Sequence, residues 1–204
     1  MITFRDEPHR NSWNDHQSQW GHCSRCPIGD SCRNHVLGRG KLPCEVLLIG
    51  EAPGPAEDTL GEPFVGRSGK LLNTLLAEVA RNFRPFSYFI TNTLACFPAE
   101  DHHTEGSSFR APTKEEQANC YDRLVQVLFL ATPRKLIYVG KSAAELEKLF
   151  KKDKTTWDLL VPDQRLLILH PSYINRRGGV RSVEFKRTMS DLVKFLKGEG
   201  CVNA

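Results

Sequence analysis

Four short stretches carry side chains able to do chemistry. They are "CSRC" at 23–26, "GEAPGPAEDTLGEPFVG" at 50–66, "TNTLAC" at 91–96 and "HPSYINRR" at 170–177. The second follows an apolar run, and a glycine-rich turn in that place first suggests a phosphate cradle, because exposed N–H groups and a helix N-terminus favour anions. Its spacing argues otherwise. Gly50, Gly54, Gly61, Gly66 and Gly69 match neither G-x-x-x-x-G-K-[ST] nor G-x-G-x-x-G, and Glu51, Glu57, Asp58 and Glu62 repel phosphate. Cys23 and Cys26 stand at the C-x-x-C spacing that brings two thiolates to one metal or cluster. The chain has seven cysteines, an odd number, and a reducing compartment disfavours a disulfide framework; metal ligation or buried thiols remain.

The elements that must position these groups follow from periodicity. Apolar runs at 45–50, 87–91, 135–139 and 165–169 predict four short strands of a mainly parallel sheet. Helical spacing of apolar residues predicts helices over 69–81, 113–131, 141–150 and 182–197. Alternation of this kind gives βαβ units with right-handed crossovers, hence an α/β fold. Ligands in such folds sit beyond the carboxyl ends of the strands. That edge is where GEAPG, TNTLAC and HPSYINRR fall. Residues 1–44 have no periodic pattern and are expected to form an irregular N-terminal segment held by metal or packing.

Composition bounds the class. With 204 residues, 40% hydrophobic and 25% charged, the chain can bury a core as one soluble domain spanning 1–204. A formal charge of +4 is compatible with a polyanionic partner without requiring one. No apolar run reaches membrane-spanning length, and "MITFRDEPHRNSWNDH" lacks the apolar core of a secretory signal, so no membrane partner and a cytoplasmic location are expected.

Taken together, GEAPG with its downstream acids, GEPFVGRSGKLL, the T-N-x-x-x-C run and H-P-S occur in an order that resembles the uracil-DNA glycosylase superfamily, specifically its iron–sulfur family 4 branch. The resemblance covers about residues 20–197. It implies a three-layer α/β/α sandwich around a four-stranded sheet, a monomer acting on uracil in single- or double-stranded DNA, and a [4Fe–4S] cluster on Cys23, Cys26, Cys96 and Cys120. Thiolates suit iron–sulfur ligation, and ligands from separate segments would staple the N-terminal segment to the core. The competing arrangement is zinc on Cys23 and Cys26 beside Cys32 and Cys44, and Cys32 is the residue most easily confused with a cluster ligand.

The same resemblance distributes roles. Glu51 and Glu57 are the expected catalytic carboxylates, able to position water or stabilise positive charge on the sugar, and His170 the donor toward uracil O2 as charge builds there. Ala52, Phe64 and Asn92 form the base site, with Phe64 stacking on the flipped base and Asn92 reading its Watson–Crick edge. Pro171 and Ser172 would fix the turn and touch phosphate, Tyr173 and Ile174 would wedge into the duplex, and Arg176, Arg177 and Arg181 would meet phosphates.

This sequence departs from the family pattern in three places. "LACFPAEDHH" replaces a basic, proline-rich stretch, 23 residues separate Cys96 from Cys120, and "SYIN" is less apolar than the usual wedge. The longer loop holds His102 and His103, which motivates a second reading as a uracil-DNA binder that traps DNA covalently. A glycosylase for another modified pyrimidine and a non-catalytic DNA-binding module are the remaining alternatives.

Overall fold

The computed structural model describes residues 12–100 and 108–199. Five strands, β1 (Arg39–Gly40), β2 (Val46–Gly50), β3 (Tyr88–Asn92), β4 (Lys135–Val139) and β5 (Gln164–Ile168), form one sheet in the order β1-β3-β2-β4-β5. The last four run parallel, and β1 pairs antiparallel with β3 at Arg39↔Ile90 and Gly40↔Phe89. The expected four-stranded sheet is thereby corrected to five. A two-residue strand carries no periodicity from which it could be read.

Helices cover both faces: α1 (Trp13–Trp20), α2 (Pro27–Ser31), α3 (Pro55–Leu60), α4 (Arg67–Asn82), α5 (Lys114–Asn119), α6 (Tyr121–Ala131), α7 (Lys141–Ala144), α8 (Glu147–Lys152), α9 (Lys154–Leu160), α10 (Pro171–Arg176) and α11 (Val183–Lys197). Successive strand residues point to opposite faces. Val46 and Leu48 therefore join Leu72, Leu75 and Leu76 of α4 and Leu192 and Phe195 of α11 in one core. Leu47 and Ile49 join Leu124, Val127 and Leu128 of α6 in the other. The result is the expected α/β/α layering, and it explains why β2 is apolar at every position: neither face meets water.

The described part of the N-terminal segment, residues 12–44, carries two helices rather than being irregular throughout, a second correction. α1 starts at a capping box in which Ser12 and Asp15 each accept the other's backbone N–H. His16 and Trp20 turn inward, where His16 Nδ1–H and Trp20 Nε1–H both reach Gln126 Oε1, at 2.8 and 2.6 Å. Trp13 stacks on His16 and meets Phe89 edge-on. The polar run "WNDHQSQW" hides this because its inward face is aromatic and hydrogen-bonded rather than aliphatic.

The helix expected over 113–131 is broken at Cys120, which stands between α5 and α6 with φ −91° and ψ −3°. The stretch 141–150 is likewise split into α7 and α8, with α9 beyond it.

Candidate active site and cysteine pocket

The parallel register sets Gly50 beside Asn92 at the carboxyl edge of the sheet. The spacing there is too tight for any side chain at 50: a Cβ would lie 2.3 Å from Asn92 Oδ1 and 2.6 Å from the Phe64 ring. Gly50 thus lets the amide and the ring converge. Asn92 is 2% exposed, and its Oδ1 has no hydrogen-bond partner among the described residues. Leaving a buried amide oxygen unpaired costs about 1–3 kcal/mol, so it stands ready for a ligand N–H.

Phe64 is held in a backbone conformation rare for a residue with a side chain, φ +56°. Two features impose it. Glu57 accepts from Gly54 N on one carboxylate oxygen (3.1 Å) and from Val65 N and Gly66 N on the other (3.0 and 2.8 Å), tying both ends of the loop together. Gly69 supplies the second: a Cβ there would fall 1.9 Å from the Phe64 carbonyl oxygen. The catalytic part expected of Glu57 is accordingly revised, because its carboxylate is committed to the backbone. Ala52 packs toward Trp20 and Leu94, on the cysteine side of the loop.

Glu51 follows β2 directly, half-buried, and burial raises its carboxyl above the ordinary 4.5, partly countered by a hydrogen bond from the Ser142 side chain. Its backbone carbonyl accepts from Leu94 N at 3.1 Å and from the Thr93 hydroxyl, fixing the strand end against TNTLAC. His170 packs over Gly140, whose added Cβ would stand 3.0 Å from that of His170. His170 Nδ1 accepts the backbone N–H of Ser172 at 3.2 Å and lies 2.7 Å from its hydroxyl. Acceptance at Nδ1 places the neutral ring's proton on Nε2. Burial, then the nearby Arg176 charge, push the His170 pKa below 6.5, so the ring is neutral at pH 7. Gly140 and Ser142 were not singled out from sequence, although "VGKS" after an apolar run carries the same strand-end signal as GEAPG.

The remaining expected contacts are placed unevenly. Ser172 faces His170, the N-cap of α10, with both its backbone N–H and its hydroxyl on Nδ1. Ile174 is fully buried in the core with α4 and α11, which corrects its expected part as a wedge. Tyr173 lies half-buried under the Arg177 guanidinium, 5.4 Å from the ring centre, while Arg176, Arg177 and Arg181 are exposed. Val180, 49% exposed, is the apolar side chain that does protrude from this loop. His102 and His103 lie outside the described residues.

On the far side of TNTLAC, Cys23, Cys26, Cys96 and Cys120 line one pocket walled by Trp20, Ile28 and Leu94. Four thiols from three chain segments, converging in an apolar setting, are a donor set that suits an iron–sulfur cluster. A fifth thiol intrudes. Cys32, His35 and Cys96 place their ligand atoms within 4.8 Å of one another, a second group able to hold a metal ion. His35 Nε2 donates to the Cys23 carbonyl at 2.8 Å, and a hydrogen bond from Cys96 together with His35 lowers the Cys32 thiol to about 5. Cys44 is elsewhere, buried against β2 and α6 with its thiol pushed up to about 11 by burial. The zinc set that included Cys44 is therefore not assembled.

A family model described as "Uracil DNA glycosylase superfamily" matches residues 37–193. The chain is 34% identical over 188 residues to the Type-4 uracil-DNA glycosylase of Thermotoga maritima, covering 87% of this chain and 91% of that protein. It is 30% identical over 188 residues to the protein of the same name from Pyrobaculum aerophilum, covering 86% and 89%. With the Archaeoglobus fulgidus protein of that name the identity is 38% over 135 residues, 66% of this chain and 63% of the other.

Proposed function

Because the chain belongs to the uracil DNA glycosylase superfamily, we propose that it is a monofunctional uracil-DNA glycosylase that starts repair of deaminated cytosine by hydrolysing the N-glycosidic bond. The observation that carries this reading is the buried Asn92 side-chain oxygen, unpartnered among the described residues, beside the ring of Phe64, whose backbone is held at positive φ.

The residues divide the reaction as follows. Phe64 offers a face on which the extruded base stacks, an interaction of about 1–3 kcal/mol. The Asn92 oxygen accepts the N3–H of uracil while its NH2 donates to O4; cytosine presents an acceptor and an NH2 at those positions and is refused. The C1′–N1 bond breaks with its electron pair leaving on the base, where negative charge gathers at O2. His170 Nε2–H donates there, and removing one donor of this kind costs about 10²–10³ in rate. Water attacks the cationic sugar carbon, and the half-buried Glu51 carboxylate takes its proton. Arg176, Arg177 and Arg181 meet the phosphates, and Val180 takes the wedging part first expected of Ile174.

Cys23, Cys26, Cys96 and Cys120 would hold a [4Fe–4S] cluster, which when bound supplies a cross-link between the N-terminal segment, the TNTLAC turn and the α5–α6 joint. No step of the base release runs through it.

The test is incubation of purified protein with oligonucleotides carrying uracil, thymine mismatches and oxidised pyrimidines, single- and double-stranded. Free uracil with turnover is the expected result. Release of a different base only, a denaturation-resistant protein–DNA adduct, or DNA retention without base release each refutes the assignment.

A further inference from the structure

Among the described residues Arg123 of α6 is the largest side chain wholly enclosed by protein, at 0% exposure. Its donors are fully distributed. Nε reaches Cys120 Sγ at 3.3 Å. Nη1 reaches the Leu37 carbonyl at 3.2 Å and Thr91 Oγ1 at 3.0 Å. Nη2 reaches the backbone carbonyl of Asn92 and, at 3.3 Å, that of Thr93. Four of these five acceptors are neutral, and none of the ion pairs among the described residues involves Arg123. A buried guanidinium is stabilised by satisfied donors and by any opposite charge beside it. Of its five acceptors the Cys120 sulfur is the one that would also ligate a metal centre, as a thiolate.

We propose that Arg123 is a positioning residue coupling occupation of the cysteine pocket to the placement of Asn92. The proposal rests on reading Asn92 as the uracil-recognition group. One planar fork grips the Cys120 sulfur on one edge and the carbonyls of Asn92 and Thr93 on the other, so a sulfur held by a metal centre fixes the guanidinium and the guanidinium fixes the end of β3. When the pocket is empty nothing holds the Cys120 sulfur in place, the Nε contact loosens, and the change reaches the 91–93 turn gripped by the other edge of the fork. Coupling of this kind is reciprocal: uracil in the base site holds the metal centre more tightly. Lysine keeps the charge but lacks the fork, and cannot hold both sides.

The experiment compares cluster-loaded and cluster-depleted wild-type protein, depleted by oxidation with ferricyanide in the presence of chelator, with Arg123→Lys treated the same way. Free uracil is titrated by calorimetry, and amide exchange is followed over 88–95 with β4 as the internal reference. Depletion is expected to weaken uracil binding by wild type at least tenfold and to raise exchange at 91–94 while β4 stays protected. Arg123→Lys, keeping the visible absorbance of the loaded protein, is expected to bind uracil weakly already and to change less than threefold on depletion. A merely structural arginine would lower the melting temperature yet leave the depletion ratio equal in both proteins, and that equality overturns the proposal. So does unchanged exchange at 91–94 in depleted wild type, a comparison that needs no variant. If loaded wild type binds no uracil while depletion still frees 91–94, the uracil reading fails and the linkage stands.

Discussion

At the scale of residues, the site depends on a few ångströms around Gly50. Any side chain there must displace either the buried Phe64 ring or the buried Asn92 amide. Gly50→Ala is expected to lower uracil release at least 100-fold while the melting temperature shifts by only a few degrees; thermal unfolding alongside base release checks both. With Glu51 as the proposed base, the pH profile has an acid limb. Burial raises its carboxyl above 4.5, so protonation removes the base at a higher pH than for an exposed glutamate, whereas His170 is held below 6.5 and stays neutral through pH 7. Rates should fall on the acid side at a higher pH than an exposed carboxylate would give, and Glu51→Gln should lose about 10²–10³ in rate together with that limb. Single-turnover release between pH 5 and 8 reads it directly, and a flat wild-type profile counts against Glu51. The strand-end positions of Glu51, Asn92 and His170 were legible because each ends or follows an apolar strand inside a motif. Glu57 misled, since its three backbone partners include two N–H groups eight and nine residues further on, a distance that spacing does not encode. Arg123 was silent for the opposite reason: a lone arginine on a helix reads as a solvated charge.

At the scale of elements, α4 and α11 were predictable because one aliphatic stripe faces one core. α5 and α6 read as a single helix, and what breaks them, the turn of backbone at Cys120, leaves no mark on periodicity. That joint matters because it turns Cys120 toward the same pocket as the C-x-x-C segment. The pocket separates two ligand assignments by substitution. With the four-cysteine set, Cys96→Ser should abolish the brown chromophore and Cys32→Ser should retain it. With the Cys32–His35–Cys96 set, both should lose their metal. Iron and sulfide content per chain, measured on anaerobically prepared protein, decides between them.

At the scale of the whole molecule, α1 is a clamp whose strength depends on acidity. His16 is enclosed, and burial followed by the Arg123 charge lowers its pKa from 6.5 to about 4. Between those values the unfolded chain binds a proton that the folded chain refuses, so stability falls as pH drops from 6.5 toward 4, by up to about 3 kcal/mol. Denaturant unfolding at pH 7 and pH 4.5 should show that loss in wild type and a smaller one in His16→Gln. The clamp continues into the strap that ends in β1. Val36 N donates to the Ala95 carbonyl, Lys41 N to that of Tyr88, and the Leu37 carbonyl accepts from Thr91, so residues 36–41 run along the outer side of β3. Without the strap, β3 would offer an open apolar strand, "YFITN", as a template for pairing with another molecule. The N-terminal segment therefore guards against aggregation. Molecules that lose their grip on it should be removed from solution by self-association before their active sites have time to fail.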